Sequence, residues 1–187
     1  FPELQQKFKF KFLGMVAFYD PPKQHMEKVL KDFYQAGIAV KIVTGDNSTT
    51  TMSIAKQIGF LGFEKSLSGD ELMKMSEEEL RQAVMVTNVF SRMFPDAKLK
   101  IINALKSNHE IVAMTGDGVN DGPALKAAHI GIAMGKRGTE IAKQAASLIL
   151  LEDDLARMVD AIAMGRRIYT NLKKAIQYII SIHIPII

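Results

Sequence analysis

The chain has 187 residues, 24 basic against 20 acidic side chains and a net charge of +4, enough length for one domain with a sizeable core and room for an appendage. So mild a basic excess makes no case for nucleic acid, and the lack of cysteine excludes a disulfide framework and a thiolate metal site. His25, His109, His129 and His183 are scattered, with no metal-ligand spacing.

The first residues, Phe-Pro-Glu-Leu-Gln-Gln-Lys, include neither an initiator Met nor an apolar h-region, so we expect the chain to begin inside something larger. Phe12 to Tyr19 is a continuous apolar run stopped by Asp20-Pro21-Pro22-Lys23, which reads as a buried strand ended by a rigid turn. Pro22 suits a helix start, and Met26, Val29, Leu30 and Phe33 recur at helical spacing until Gly37. Ile38 to Val43 reads as a second strand leading into Thr44-Gly45-Asp46-Asn47. A helix over 48–58 follows, capped by Asn47 or Ser48 and closed by Gly59.

Gly59 to Gly69 reads as a loop, and Asp70 to Ala83 as two short helical pieces, the second opened by a capping box at Ser76-Glu77-Glu78-Glu79. Val84 to Arg92 reads as a third strand. Pro95 to Lys106 is an amphipathic helix with Lys98 and Lys100 in its first turns, where each lysine opposes the macrodipole by roughly 0.3–1 kcal/mol. A nearby anion would remove that conflict. Glu110 to Met114 is the central strand candidate, His129 to Met134 another, Gly138 to Ala145 a short helix and Ser147 to Leu151 a last short strand. The alternation of strand and helix predicts a parallel α/β sheet, in which ligands bind beyond the carboxyl ends of the strands.

The densest chemistry lies in Met114 to Leu125, Met-Thr-Gly-Asp-Gly-Val-Asn-Asp-Gly-Pro-Ala-Leu. Gly116 and Gly118 let the backbone turn sharply and bring its N–H groups close to an anion. Asp117 suits Mg²⁺, which needs only one or two carboxylates beside a phosphate. Asp121 admits two compatible readings, a helix cap before Pro123 or a partner in the site. Capping needs one acceptor and leaves Asp117 and Asn120 unexplained. Thr44-Gly45-Asp46 and Thr115-Gly116-Asp117 both end strands. With Lys98 they form a constellation of hydroxyl, amides, ammonium and carboxylate suited to phosphate and Mg²⁺. Gly131 to Arg137 is not a P-loop, being one residue short and lacking the Ser/Thr.

From Asp153 the pattern is helical for about thirty residues, long for a globular helix. Leu155, Met158, Val159, Ile162 and Ile168 oppose Arg157, Asp160, Arg166 and Arg167. Ala175 to Ile187 is then nearly all apolar and follows Lys173-Lys174. Its thirteen residues span about 20 Å as a helix, short of the roughly 30 Å hydrocarbon core. Both a buried core helix and a truncated transmembrane helix fit, and the basic residues ahead of the run favour the second.

The Thr115 to Leu125 run, with Asp20-Pro21-Pro22-Lys23, Thr44-Gly45-Asp46-Asn47 and Pro95-Asp96-Ala97-Lys98, resembles the cytoplasmic phosphorylation domain of P-type cation-transporting ATPases, which have the haloacid-dehalogenase-like fold. The resemblance covers the chain from about Phe12 onward. It implies a Rossmann-like parallel sheet over 1–152 and, over 153–187, a stalk helix running into a truncated fifth membrane span. It further implies that Asp117 ligands Mg²⁺ with Asp121 supporting it, and that Asn120, Thr44, Gly45 and Lys98 hold the transferred phosphoryl group. Asp20, Lys23 and Asp46 would lie at the hinge and nucleotide side. ATP and Mg²⁺ would serve the parent protein, and residues 1 to about 174 would face the cytoplasm. The partners implied are the nucleotide-binding, actuator and membrane domains.

Two departures matter. The family's nucleophile is the Asp of an Asp-Lys-Thr-Gly-Thr motif on the first strand, and no aspartate here is followed by Lys-Thr. Asp20, the one other aspartate ending an apolar run, is followed by Pro21 and Pro22 and makes a poor substitute. Calcium pumps of the family also place oxygen ligands on the fifth span, where this chain has His183 and Ile186 around Pro185, and an aliphatic side chain offers a hard cation nothing. The alternatives are a non-catalytic module binding a partner or anion through the same pocket, and a soluble haloacid-dehalogenase-like phosphatase. The second is opposed by the missing Asp-x-Asp motif and the apolar C-terminus.

Overall fold

The computed structural model describes residues 9–16 and 21–183. Six strands and eight α-helices follow in the order α1 (Met26–Gln35), β1 (Ile42–Val43), α2 (Ser48–Gln57), β2 (Ser66–Ser68), α3 (Gly69–Lys74), α4 (Glu77–Val86), β3 (Val89–Ser91), α5 (Pro95–Ser107), β4 (Ala113–Gly116), α6 (Gly122–Ala127), β5 (Ile130–Met134), α7 (Glu140–Ala145), β6 (Leu148–Leu150) and α8 (Ala156–His183). All pairing is parallel, as the alternating pattern implies. The strands fall into two three-stranded sheets, β1-β3-β2 and β4-β5-β6. Among the described residues β1 and β4 are each paired on one side only.

Local chemistry accounts for most boundaries. Asn47 accepts the Thr50 amide and starts α2. Ser68 with Glu71 and Ser76 with Glu79 form reciprocal capping boxes at the heads of α3 and α4. Three helices end in the same double turn, in which the second residue past the cap donates to the carbonyl five positions back: Ile38 to Phe33, Phe60 to Ala55 and Glu110 to Leu105. Gly37 and Gly59 supply the left-handed residue in two of them, while His109 takes it in the third, with φ of 62°.

The larger core joins both sheets through α5. Ala97, Ile101, Ile102, Ala104 and Leu105 of that helix pack with Phe90 and Met93 on one side and Met114, Ala124, Leu125 and Ala133 on the other. A smaller core gathers Leu30, Ala55, Phe60 and Val89.

Several expectations need correction. Residues 12–16 form no strand: Phe12, Leu13, Met15 and Val16 are exposed. An apolar run becomes a strand only beside a hydrogen-bonding neighbour, and among the described residues nothing pairs with it. The rest of that expected strand and Asp20 lie outside the described residues, as do Pro185 and Ile186. Val84 to Val86 are helical, because the Ser76 cap launches α4 and its one-turn pair Leu80 and Val84 buries against the core. The strand starts only at Val89. The loop ahead of Gly69 contains a strand, β2, whose alternating Ser-Leu-Ser is too short and polar to stand out. The strand before Thr44 is reduced to Ile42 and Val43, and α1 starts at Met26 behind His25 in a left-handed conformation rather than at Pro22. Among the described residues no helix is long and apolar enough to cross a membrane.

Candidate phosphate and metal site

Strand β4 ends at Gly116, and the chain then makes a 3-10 turn at Val119–Asp121 before α6. Asp121 organises this turn. Its Oδ2 accepts the amides of Asp117 at 3.2 Å and Gly118 at 3.1 Å. Its Oδ1 meets Lys98 Nζ at 2.6 Å, with side-chain exposures of 11% and 12% for Asp121 and Lys98. The carboxylate is thus held by one ammonium and two backbone dipoles, the charge-assisted pairing that survives burial. Gly116 must be glycine here, since a Cβ would come within 2.6 Å of Asp121 Cβ.

Asp117 is the opposite case. It is exposed, and among the described residues its carboxylate makes no hydrogen bond or ion pair. It stands beyond the carboxyl end of β4, with exposed Thr115 near the end of that strand and exposed Asn120 in the 3-10 turn. One free carboxylate at a strand end fits Mg²⁺, which keeps most of its waters and completes its shell with substrate phosphate. No cluster of three His, Cys, Asp or Glu side chains occurs among the described residues, and a Mg²⁺ site does not need one. With both oxygens engaged, Asp121 is placed to hold Asp117 and Lys98 in position.

The second Thr-Gly-Asp turn reaches Lys98 through β3. The Thr44 carbonyl accepts the Met93 amide and the Asp46 carbonyl accepts the Arg92 amide, at 2.9 and 2.8 Å. Thr44 Oγ1 accepts the Asp46 amide at 3.1 Å. Met93 lies two residues before α5, whose first turns carry Lys98. Hydrogen bonds thus join Thr44 to Met93 and, separately, Lys98 to Asp121 and Asp121 to the Asp117 amide, and the backbone from Met93 into the first turns of α5 connects the two sets. Asn47, Ser68, Ser91 and Arg92 line a polar cleft of about 630 Å³ beside the Thr44 turn.

Lys23 is not among this group. Its Nζ donates to the carbonyl of Asp153 at 2.6 Å, just ahead of α8. In the sequence Asp153 marks only the start of a helical pattern, yet it is 4% exposed and its carboxylate accepts the amides of Lys136 and Arg137, both at 3.0 Å. Burial by itself would raise its pKa. The amides of Lys136, Arg137 and Gly135 and the Lys23 charge outweigh that, holding it below the usual carboxylate range. The adjacent acids Glu152-Asp153-Asp154 at a strand-to-helix junction were the only sequence sign of it.

Comparison with known proteins bears on the family of the chain. The family model for haloacid dehalogenase-like hydrolases matches residues 3–129. The chain is 43% identical over 170 residues to calcium-transporting ATPase 1 of Lactococcus lactis, covering 90% of this chain and 19% of that protein. It is 42% identical to the calcium-transporting ATPase of Bacillus subtilis, covering 96% and 20%, and 41% identical to the human calcium-transporting ATPase type 2C member 1, covering 96% and 19%. It thus spans about a fifth of the length of the curated relatives it matches. Among solved structures, a zinc-transporting PIB-type ATPase in the E2·Pi state superposes with a TM-score of 0.64 at 28% identity, covering 83% of this chain and 21% of that one. On the match to more than half its residues, the chain belongs to the haloacid dehalogenase-like hydrolase family.

Proposed function

We propose that the chain is part of an ATP-driven cation-transporting P-type ATPase and supplies the Mg²⁺ and phosphoryl-binding half of its aspartyl-phosphate site. The observation that carries this is the pairing of a free Asp117 carboxylate with an adjacent Lys98–Asp121 bridge at the carboxyl ends of two parallel sheets. Phosphoryl transfer needs mostly positioning and charge neutralisation, and these groups provide both. Asp117 ligands the ion and Asp121 fixes Asp117 and Lys98. Lys98, Asn120, Thr44 and Gly45 hold the phosphoryl oxygens. Bound Mg²⁺ would neutralise phosphate charge. Asp46, Lys23 and Asp20 belong to the hinge and nucleotide side. Residues 1–152 form the C-terminal part of the phosphorylation domain and 153–187 the stalk entering the membrane, with the chain cytoplasmic up to about residue 174. The nucleotide-binding, actuator and membrane domains are its partners.

The test is phosphoenzyme chemistry in a parent protein containing this chain. Asp117→Asn and Lys98→Ala should cripple formation and loss of phosphoenzyme, while Lys136→Ala, whose ammonium pairs with exposed Glu152, leaves both nearly intact. Parental rates in all three variants would refute the assignment. An Asp-Lys-Thr-Gly-Thr motif in the coding sequence ahead of Phe1 is expected as well.

A further inference from the structure

Helix α8 has 28 residues and buries none of them. Its first turns lie against α1, with Ala156, Met158, Val159 and Ile162 half-buried, but from Ala163 onward every described residue is exposed, so its attachment at the head matters more than for an ordinary helix. That attachment centres on Asp153, which adopts a left-handed φ of 54° and donates its amide to the Leu150 carbonyl at 3.0 Å. Its carbonyl takes Lys23 from the segment before α1, and its two carboxylate oxygens take the successive amides of Lys136 and Arg137. Asp154 Oδ1 then accepts the Ala156 amide at 3.0 Å, opening the helix.

The loop that Asp153 grips leads straight to the candidate site. β5 ends at Met134, and Gly135 donates to Leu150 at 2.9 Å. Gly138 folds back so tightly on Met134 that a Cβ there would overlap the Met134 carbonyl. Thr139 then donates its amide to the backbone carbonyl of Asp117 at 2.8 Å, while its hydroxyl caps α7 by accepting from Ala142. One residue, Gly138, separates the amides held by Asp153 from the amide held by Asp117. So short a connection has little slack, and a shift of the Asp117 turn must be taken up at Asp153 or break a hydrogen bond.

We propose that Asp153 is a positioning residue: through the loop 135–139 it ties the head of α8 to the Asp117 turn, so that the state of that turn sets the direction of the helix. Its importance for transport rests on the function proposed above, but the mechanical link does not.

The experiment uses the 187-residue chain, with amide exchange followed by residue and a spin-label distance from Asn103 on α5 to Tyr169 on α8. Asp153→Gly keeps the left-handed backbone at no steric cost but has no carboxylate, and Asp153→Asn tolerates that backbone while retaining one acceptor oxygen. In Asp153→Gly we expect exchange at Lys136, Arg137 and also Thr139 to quicken by about tenfold or more, as local opening would give, and the α8 distance distribution to broaden. Asp153→Asn should fall between this and the unaltered chain. Unaltered exchange in Asp153→Gly would reduce Asp153 to a backbone conformation and overturn the proposal. So would loss confined to Lys136 and Arg137 with Thr139 and the α8 distance unmoved. Should the glycine variant unfold, seen as lost protection at Phe90 and Ala133, Asp153→Asn decides by the same readings. None of them requires Mg²⁺, phosphate or turnover, so failure of the site assignment and failure of this link are told apart.

Discussion

Lys98 and Asp121, 23 residues apart in sequence, form a 2.6 Å ion pair that is nearly shut off from solvent, and through it α5 is joined to the turn that presents Asp117. Removing one partner of such a pair strands the other charge. Asp121→Ala is therefore expected to destabilise the chain by about 3 kcal/mol, with further loss because the amides of Asp117 and Gly118 are left without an acceptor. Lys98→Met should cost less, since Asp121 keeps both amide hydrogen bonds. Urea unfolding of the two variants checks the order, and equal or reversed losses would show that the amide contacts contribute little.

The chain by itself should not hydrolyse ATP or small phosphate esters. Positioning groups do not form an aspartyl-phosphate without the nucleophile, and no Asp-Lys-Thr occurs in the sequence. A phosphate-release assay with Mg²⁺ is the measurement. Turnover that disappears in Asp117→Asn would contradict the expectation.

The edges of β1 and β4 that are unpaired among the described residues lead to a prediction about association. In the resembled fold the nucleophile strand lies between these two. Among the described residues β1 and β4 do not pair, and residues 12–16 of the Phe12 to Tyr19 run that could take the vacant place are not a strand. Unpaired edges invite association. Sedimentation of a chain ending near Lys173 should show oligomers that dissociate when a peptide carrying the missing strand is added, and a stable monomer indifferent to the peptide would refute this.

The Asp153 clamp carries a pH signature. Its folded pKa lies below the value of 3.8 expected of a free aspartate, so the unfolded chain takes up the proton first as pH falls. The stabilisation is fully present above the unfolded value and is lost as pH drops through the lower folded one. Exchange-corrected amide shifts of Lys136 and Arg137 should therefore hold steady through the ordinary aspartate range and move only below it. Movement at or above 3.8 would mean that the clamp does not hold the carboxylate ionised.

Much of the architecture is legible in the sequence because it is written in local chemistry. Ser76 and Glu79 announce a helix start, Gly37 and Gly59 announce helix ends, and the Thr-Gly-Asp turns mark strand ends whatever surrounds them. The parallel α/β class follows from that alternation, and Asp117 can be singled out because a carboxylate between two glycines has little other purpose.

The tertiary structure decided what depends on distant partners. Residues 12–16 are apolar enough for a buried strand, but a strand is completed by its neighbour's hydrogen bonds, which sequence periodicity does not report. Val84 to Val86 have strand-like composition and were claimed by a helix because Leu80 and Val84 meet a core assembled from elsewhere. Local pattern alone does not divide the work between Asp117 and Asp121, which the resemblance implies; only the approach of Lys98 from α5 shows one carboxylate engaged and the other exposed. Asp153 and Lys23, 130 residues apart, meet for the same reason: long-range contacts are products of the fold, and no local pattern encodes them.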